Sequence, residues 1–193
     1  MLSYPCNLQD NKKMADKDRK KWDSKYLRDI GNLSPSKLLE KFIDQAPLGN
    51  ALDIACGNGR NSIFLNKRGF TVDAIDISTV ATQKLKEQNL GINVKCMDIE
   101  TLIFPESSYE VIINIRFLER RLFPMIEKGL KPGGLLLFES FTGDKNEKFC
   151  LRPNELLHAF PTLQVIYYRE QNLQRSEKFE KSVSLVAIKN GRI

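Results

Sequence analysis

The sequence predicts an α/β fold: a doubly wound, mainly parallel sheet of seven strands whose last two form an antiparallel pair. Three observations carry that expectation. Short apolar runs alternate with amphipathic helical runs through the middle of the chain. The first of the apolar runs passes through Gly-Asn-Gly into a helix, in "ALDIACGNGRNSIFL" at 51–65. Two further apolar runs end on acidic residues, Asp76 and Asp98.

The elements follow in order. Residues 1 to about 15 are polar with little periodicity and are expected to be loose. Helical pattern begins in "MADKDRKKWDSKYL", so Met1 and Met14 both stand as possible starts. Trp22, Tyr26 and Leu27 fall at helical spacing, to pack on the body of the protein or to cover a site. Residues 1–30 are therefore read as a tail and helix, a candidate substrate lid, and 31–193 as the main domain. "LSPSKLLEKFIDQAP" reads as a helix with Ser34 as N-cap, Pro35 in the first turn and an apolar stripe of Leu38, Leu39, Phe42 and Ile43. "NALDIAC", "FTVDAID", "INVKCMD", "YEVIINI" and "GLLLFESF" read as parallel strands. Between them lie helices in "GRNSIFLNKR", stopped by Gly69, in "STVATQKLKEQN", capped by Ser78 and stopped near Gly91, and in "LFPMIEKGL", with Pro124 in its first turn. "RPNELLHAF" is a short helix, and "LQVIYYRE" and "KSVSLVAIK" are the closing antiparallel strands.

Bulk properties narrow the function classes. In 193 residues, 41% hydrophobic and 28% charged, there is room for one well-filled domain. The net charge of +6 permits acidic partners without requiring them. The basic run near the N-terminus is interrupted by Asp16, Asp18 and Asp23, a solvated helix face that argues against a nucleic-acid footprint. The four cysteines form no Cys-x-x-Cys pair and only His158 is available to join them, so neither a metal site nor a disulfide framework is expected. Cys56 and Cys96, at strand ends, read as buried free thiols suited to a reducing cytosol. No apolar run approaches a membrane span and no signal peptide is seen, so a cytoplasmic chain is expected.

In a doubly wound sheet the ligand sits at the carboxyl ends of the strands. Gly57 and Gly59 let a ligand lie against the backbone at a helix N-terminus. Asp76, nineteen positions after Gly57, is placed to accept the hydroxyls of a ribose. Asp98 is placed to accept an adenine amino hydrogen, with Ile77 and Ile99 packing on the ring. The competing role for either aspartate is loop solvation or, for Asp76, capping the next helix. A nucleoside with a charged tail fits, and two ligands meet that description: a dinucleotide such as NAD, and S-adenosyl-L-methionine. The dinucleotide fingerprint asks for a third glycine or alanine where this chain has Ser62. Asp53, just ahead of the loop, would repel a pyrophosphate but accept an ammonium, which favours S-adenosylmethionine.

"LDIACGNGRNSIFL", "GFTVDAIDIS", "VKCMDIE", "YEVIINIRFLERRLFP" and "LKPGGLLLFESF", in that order, resemble the class I S-adenosylmethionine-dependent methyltransferases. "GNGRNSIFL" and "KKWDSKY" are most similar to their small single-domain, tellurite-resistance-type branch. The resemblance implies a Rossmann-like fold, with 31–193 as the S-adenosylmethionine-binding methyltransferase domain. It puts Gly57 and Gly59 in the cofactor loop, Asp53 near the methionine end, Asp76 on the ribose, Asp98 on the adenine and Asn114 facing the cofactor. Ala55 stands where the family often has glycine; alanine is tolerated there if φ stays negative. The implied activity is methyl transfer to a small-molecule acceptor, by a monomer or homodimer. The absence of an Asn/Asp-Pro-Pro-Tyr stretch after the fourth strand argues against nucleic-acid bases as acceptors.

On the acceptor side the candidates are Tyr26, Arg116, Phe117, Glu139, Arg152 and His158. Tyr26 and Phe117 read equally as packing residues, Glu139 as a satisfied acid in the sheet, and His158 as a helix residue beside Leu157 and Phe160. Arg116 is placed either to hold an anionic substrate or to pair with Glu119. Two alternatives stand beside methyl transfer: a nucleotide-cofactor oxidoreductase, and a protein that binds S-adenosylmethionine without turnover.

Overall fold

The computed structural model describes residues 8–28, 33–99, 103, 105–143, 149–173 and 179–191. Its helices are α1 (Leu8–Arg28), α2 (Lys37–Phe42), α3 (Arg60–Lys67), α4 (Thr79–Lys86), α5 (Phe123–Gly129) and α6 (Glu155–Ala159). Its strands are β1 (Asn50–Ile54), β2 (Thr71–Asp76), β3 (Asn93–Cys96), β4 (Tyr109–Ile115), β5 (Leu130–Thr142), β6 (Cys150–Leu151), β7 (Leu163–Asn172) and β8 (Lys181–Lys189). They form one sheet in the order β3-β2-β1-β4-β5-β8-β7, with β6 attached to β5. The first five strands run parallel, and β8 is antiparallel to both β5 and β7. No helix among the described residues is long and apolar enough to cross a membrane.

The central strands are apolar on both faces because helices cover both. On one face Leu39 and Phe42 of α2, Leu65 of α3 and Leu85 of α4 pack against Ala51, Ile113 and Leu137. On the other, Ile126 of α5 and Leu156 of α6 pack with Phe160 against Leu52, Ile112 and Phe138. Alternate residues of each strand serve opposite cores, as the pleat requires.

The predicted seven strands are all present, and an eighth joins them. β4 leaves the edge of β5 after Ile115, which pairs with Glu139. The two-residue strand β6 then pairs with Phe141 and Thr142 of the longer β5. Arg120 holds this corner, with its guanidinium on both Glu155 oxygens at 2.5 and 2.9 Å and on the Cys150 carbonyl at 3.0 Å.

Three local expectations change. The N-cap of α2 is Ser36, not Ser34: its hydroxyl accepts from Leu38 N, while its own N–H donates to the buried Asn61 side chain of α3 at 2.9 Å. A contact from a distant helix thus decides between two serines of equal local merit. Cys56 and Cys150 are buried free thiols, but Cys96 is exposed because β3 is the sheet edge. β3 also ends at Cys96, so Asp98 lies in the loop beyond it.

A C-terminal lysine closes α5. Lys189 Nζ donates to the carbonyls of Glu127, Lys128 and Leu130 at 2.9, 3.3 and 2.6 Å. Those oxygens lie at the negative end of the helix and lack intrahelical partners. Lys189→Met is expected to lower unfolding stability by about 1.5–3 kcal/mol, measured by urea denaturation.

Candidate functional site

The site begins where β1 ends. Ala55, Gly57 and Gly59 all take left-handed conformations, with φ of 55°, 58° and 82°. Cys56 between them keeps its N–H on the Ile75 carbonyl at 2.9 Å, so the loop stays pinned to β2 as it turns. Gly59 then stands as the N-cap of α3 with no side chain to cap it.

Each glycine has its own reason. A Cβ on Gly59 would overlap Leu85 of α4, and one on Gly57 would overlap the hydroxyl of Tyr26. Ala55 has a Cβ in the same backbone region. The condition of negative φ at Ala55 is not met: the turn out of β1 needs the left-handed conformation, and the alanine carries strain of about 1–2 kcal/mol.

Asp76, at the tip of β2, is 8% exposed. It accepts from Gly57 N through Oδ2 and from Ser78 N through Oδ1, both at 2.8 Å. It therefore ties the loop to the start of α4 without capping that helix, whose cap is Ser78 as predicted. Burial pushes its pKa up against these two main-chain donors. Each oxygen retains a second lone pair for another donor.

Asp53 lies beneath the loop, 1% exposed, and accepts from the Ser62 hydroxyl at 2.5 Å. Burial outweighs that hydrogen bond and raises its pKa to about 7. Ser62, noted in the sequence only for not being glycine, is the residue that satisfies Asp53.

Asn114 lies in β4 beside Ile54 and Phe138. It is fully buried, and neither its amide nitrogen nor its oxygen has a hydrogen-bond partner among the described residues. A buried amide left unpaired is costly, about 1–3 kcal/mol for each unsatisfied group.

Helix α1 closes on this region. Asp23 accepts from the Ser78 hydroxyl at 2.6 Å and from Val80 N at 3.1 Å. Lys84 donates to the Tyr26 carbonyl at 2.6 Å, and Trp22 stacks on Tyr26 with ring centroids 6.1 Å apart. Burial, reinforced by Asp76, pushes the Tyr26 phenol well above its usual range. The roles of Asp23 and Lys84 were not visible in the sequence, where they are ordinary charges on helices.

The structure thus brings together Asp53, Ala55, Gly57, Gly59, Asp76 and Tyr26. Ile77 and Asp98 are half-buried, and Ile99 is buried in the core on the α5 side. Arg116 pairs with Glu139, not with Glu119, which is bonded to Arg121. Phe117 is half-buried against the α5-side core, and the Arg152 N–H donates to Glu155. The His158 imidazole stands exposed on α6 with no hydrogen bond or ion pair among the described residues. No cluster of metal-ligating side chains occurs among the described residues.

Residues 51–134 match the family model of a methyltransferase domain. That stretch of the chain carries a methyltransferase domain. Similarity extends to a probable S-adenosyl-L-methionine-dependent methyltransferase, TehB, of Haemophilus influenzae: 27% identity covering 72% of this chain and 54% of that protein. A ubiquinone biosynthesis O-methyltransferase of Parvibaculum lavamentivorans is 32% identical over 44% of this chain and 37% of its own length. The chain thus spans about half or less of the curated relatives it matches. The crystal structure of Haemophilus influenzae TehB superposes with a TM-score of 0.70 at 18% identity, over 88% of this chain and 67% of that one. In this chain the position where the family often has glycine is Ala55, and the backbone keeps the left-handed conformation that favours glycine.

That combination sets a stability test. Ala55→Gly is expected to stabilise by about 0.5–1 kcal/mol, the relieved strain exceeding the added chain entropy. Gly57→Ala is expected to destabilise by about 1–2 kcal/mol and to displace Tyr26. Urea denaturation of both variants against the parent checks the opposite signs.

Proposed function

We propose that this protein transfers a methyl group from S-adenosyl-L-methionine to a small-molecule acceptor. One observation carries the choice of ligand: Asp53 is a fully buried carboxyl under the glycine loop, bonded to Ser62. A pyrophosphate above it would meet like charge, whereas an α-ammonium would hold it ionised. The unpaired amide of Asn114 and the left-handed loop also fit a ligand lying across β1 and β4.

In this reading Gly57 and Gly59 leave room for the methionine moiety, and Asp76 accepts from the ribose with its remaining lone pairs. Asp98 accepts from the adenine amino group, Ile77 and Ile99 pack on the ring, and Asn114 finds its partner on the cofactor. The Tyr26 hydroxyl lies against Gly57, and α1, the expected lid, covers the loop. Bound there, S-adenosylmethionine supplies a methyl group on a sulfonium, which leaves as a neutral thioether when an acceptor lone pair forms the new bond to carbon. The chain's contribution is to hold donor and acceptor in line and exclude water, which is worth an effective molarity of roughly 10⁵ M or more. The resemblance of "GNGRNSIFL" and "KKWDSKY" to a small single-domain branch and the absence of a nucleobase-type motif support a small acceptor.

Calorimetric titration tests the reading. S-adenosylhomocysteine is expected to bind and NAD to show no binding; the reverse result overturns it. Asp76→Ala is expected to weaken S-adenosylhomocysteine by about 1.5–3 kcal/mol.

Asp53 adds a pH signature. Its folded pKa of about 7 lies above the ordinary value of 3.8. Without ligand, its stabilising protonated form is lost as pH rises from about 4 through 7, so stability relative to Asp53→Asn falls over that range. With an ammonium ligand the dependence reverses: affinity is expected to fall by up to about tenfold per pH unit below pH 7. Asp53→Asn is expected to flatten that slope in titrations run from pH 5.5 to 8.

A further inference from the structure

Beyond the cofactor residues, the same end of the sheet carries an arginine whose conformation and surroundings are not explained by packing. The apolar strand β4 ends at Ile115, and the next residue, Arg116, has φ of +64°. The turn itself is needed there, because β4 leaves the edge of β5 and β6 takes its place. Glycine would make that turn without strain, whereas a long side chain makes it at a cost. The sequence spends that strain to place a guanidinium at this point, and strained residues of this kind cluster at ligand sites.

The guanidinium is aimed and then left open. The Arg116 main-chain N–H donates to the Glu139 carbonyl at 2.7 Å, and the guanidinium Nε donates to Glu139 Oε1 at 3.2 Å. Glu139 is 19% exposed and acts as a fixed anchor, while Arg116 is 61% exposed. Nη1 and Nη2 make no hydrogen bond among the described residues. An arginine held by Nε presents its outer edge as a two-donor fork suited to a carboxylate or another oxyanion.

The local field favours an anion. Arg60, whose Nη1 donates to the Ser34 carbonyl, feels the Arg116 charge strongly enough that burial and Arg116 together lower its pKa. Glu139 and Asp53 offset part of this, but Glu139 is already paired and Asp53 sits beneath the loop. Helix α1 spans the same end of the molecule. Tyr26 lies on Gly57, and Lys21 Nζ lies 5.9 Å from the ring of Phe149, just before β6.

We propose that Arg116 is the acceptor-binding residue of this protein and that its Nη edge holds an oxyanion group of the methyl acceptor, a carboxylate by first preference. The acceptor is then an anionic small molecule, and Glu139 is a positioning residue that aims the fork. This rests on the methyl-transfer reading for the identity of the ligand as acceptor, but the anion site itself is tested separately.

The protein is titrated by calorimetry at fixed ionic strength with benzoate, its neutral counterpart benzamide, and inorganic phosphate, with and without saturating S-adenosylhomocysteine. Arg116→Gly and Arg116→Lys are measured in parallel. The glycine variant suits the backbone at this position and is expected to keep or raise the melting temperature, so loss of binding is not loss of fold. Benzoate is expected to bind the parent at least tenfold more tightly than benzamide. Arg116→Gly is expected to remove at least tenfold of benzoate affinity and Arg116→Lys to retain part of it, with S-adenosylhomocysteine affinity changed less than twofold. Phosphate binding in preference to benzoate, with the same dependence on Arg116, supports the oxyanion site and assigns it to phosphorylated acceptors. Equal affinity for benzoate and benzamide without phosphate binding, no binding of either anion, or unchanged anion affinity in Arg116→Gly overturns the proposal. Failure of S-adenosylhomocysteine to bind the parent overturns the methyl-transfer reading instead, and the titrations without it still decide the anion site.

Discussion

The carboxylate of Asp76 is the joint on which the rest of the site depends. From the tip of β2 it holds the main-chain N–H of Gly57 on one side and that of Ser78 on the other. Those two contacts fix the loop after β1 and the start of α4 relative to each other. The hydroxyl of Ser78 then donates to Asp23, and Tyr26 comes to rest on Gly57, so α1 is held by the same two points that Asp76 defines. One buried acid thereby links two strand ends, a glycine loop and two helices. Charge-assisted bonds to main-chain N–H groups offset part of the desolvation of the carboxylate.

Two of the five non-glycine residues with positive φ among the described residues stand where strands deliver the chain to the site. Ala55 and Arg116 both take left-handed conformations immediately after β1 and β4, the two adjacent central strands. Parallel strands must turn sharply at their carboxyl ends, and the ladder contacts on either side set the angle. At Ala55 the ladder continues through Cys56 to Ile75; at Arg116 it ends on the Glu139 carbonyl. The surrounding sheet over-determines both turns, which is how conformations of this cost persist.

Charge at the strand ends is divided by depth. Asp53 and Asp76 are buried close to the loop backbone, whereas Arg116 stands outward beyond β4. A ligand with a cationic group near the loop and a partner with an anionic group at the outer edge would each meet complementary charge. That separation is the one the proposed sulfonium donor bearing an ammonium and acceptor bearing an oxyanion would require.

Much of this was legible in the sequence because it is periodic or local. Alternation of apolar strands with amphipathic helices implies the parallel sheet, and the spacing of Gly57, Gly59 and Asp76 places them together at the carboxyl ends of β1 and β2. The Ser78 cap and the antiparallel closing pair are equally local in origin. What tertiary structure decided are choices between residues of equal local merit: Ser36 over Ser34 as a cap, Glu139 over Glu119 as the partner of Arg116, and Ser62 as the donor to Asp53. It also decided the left-handed backbone at Ala55, the attachment of β6, and the closure of α5 by Lys189. These depend on groups far apart in the chain that meet only when the sheet is assembled. The sequence alone therefore determined the architecture and the kind of ligand, and the folded sheet determined which side chains satisfy which buried groups, because pairing of buried polar atoms is settled by proximity in space.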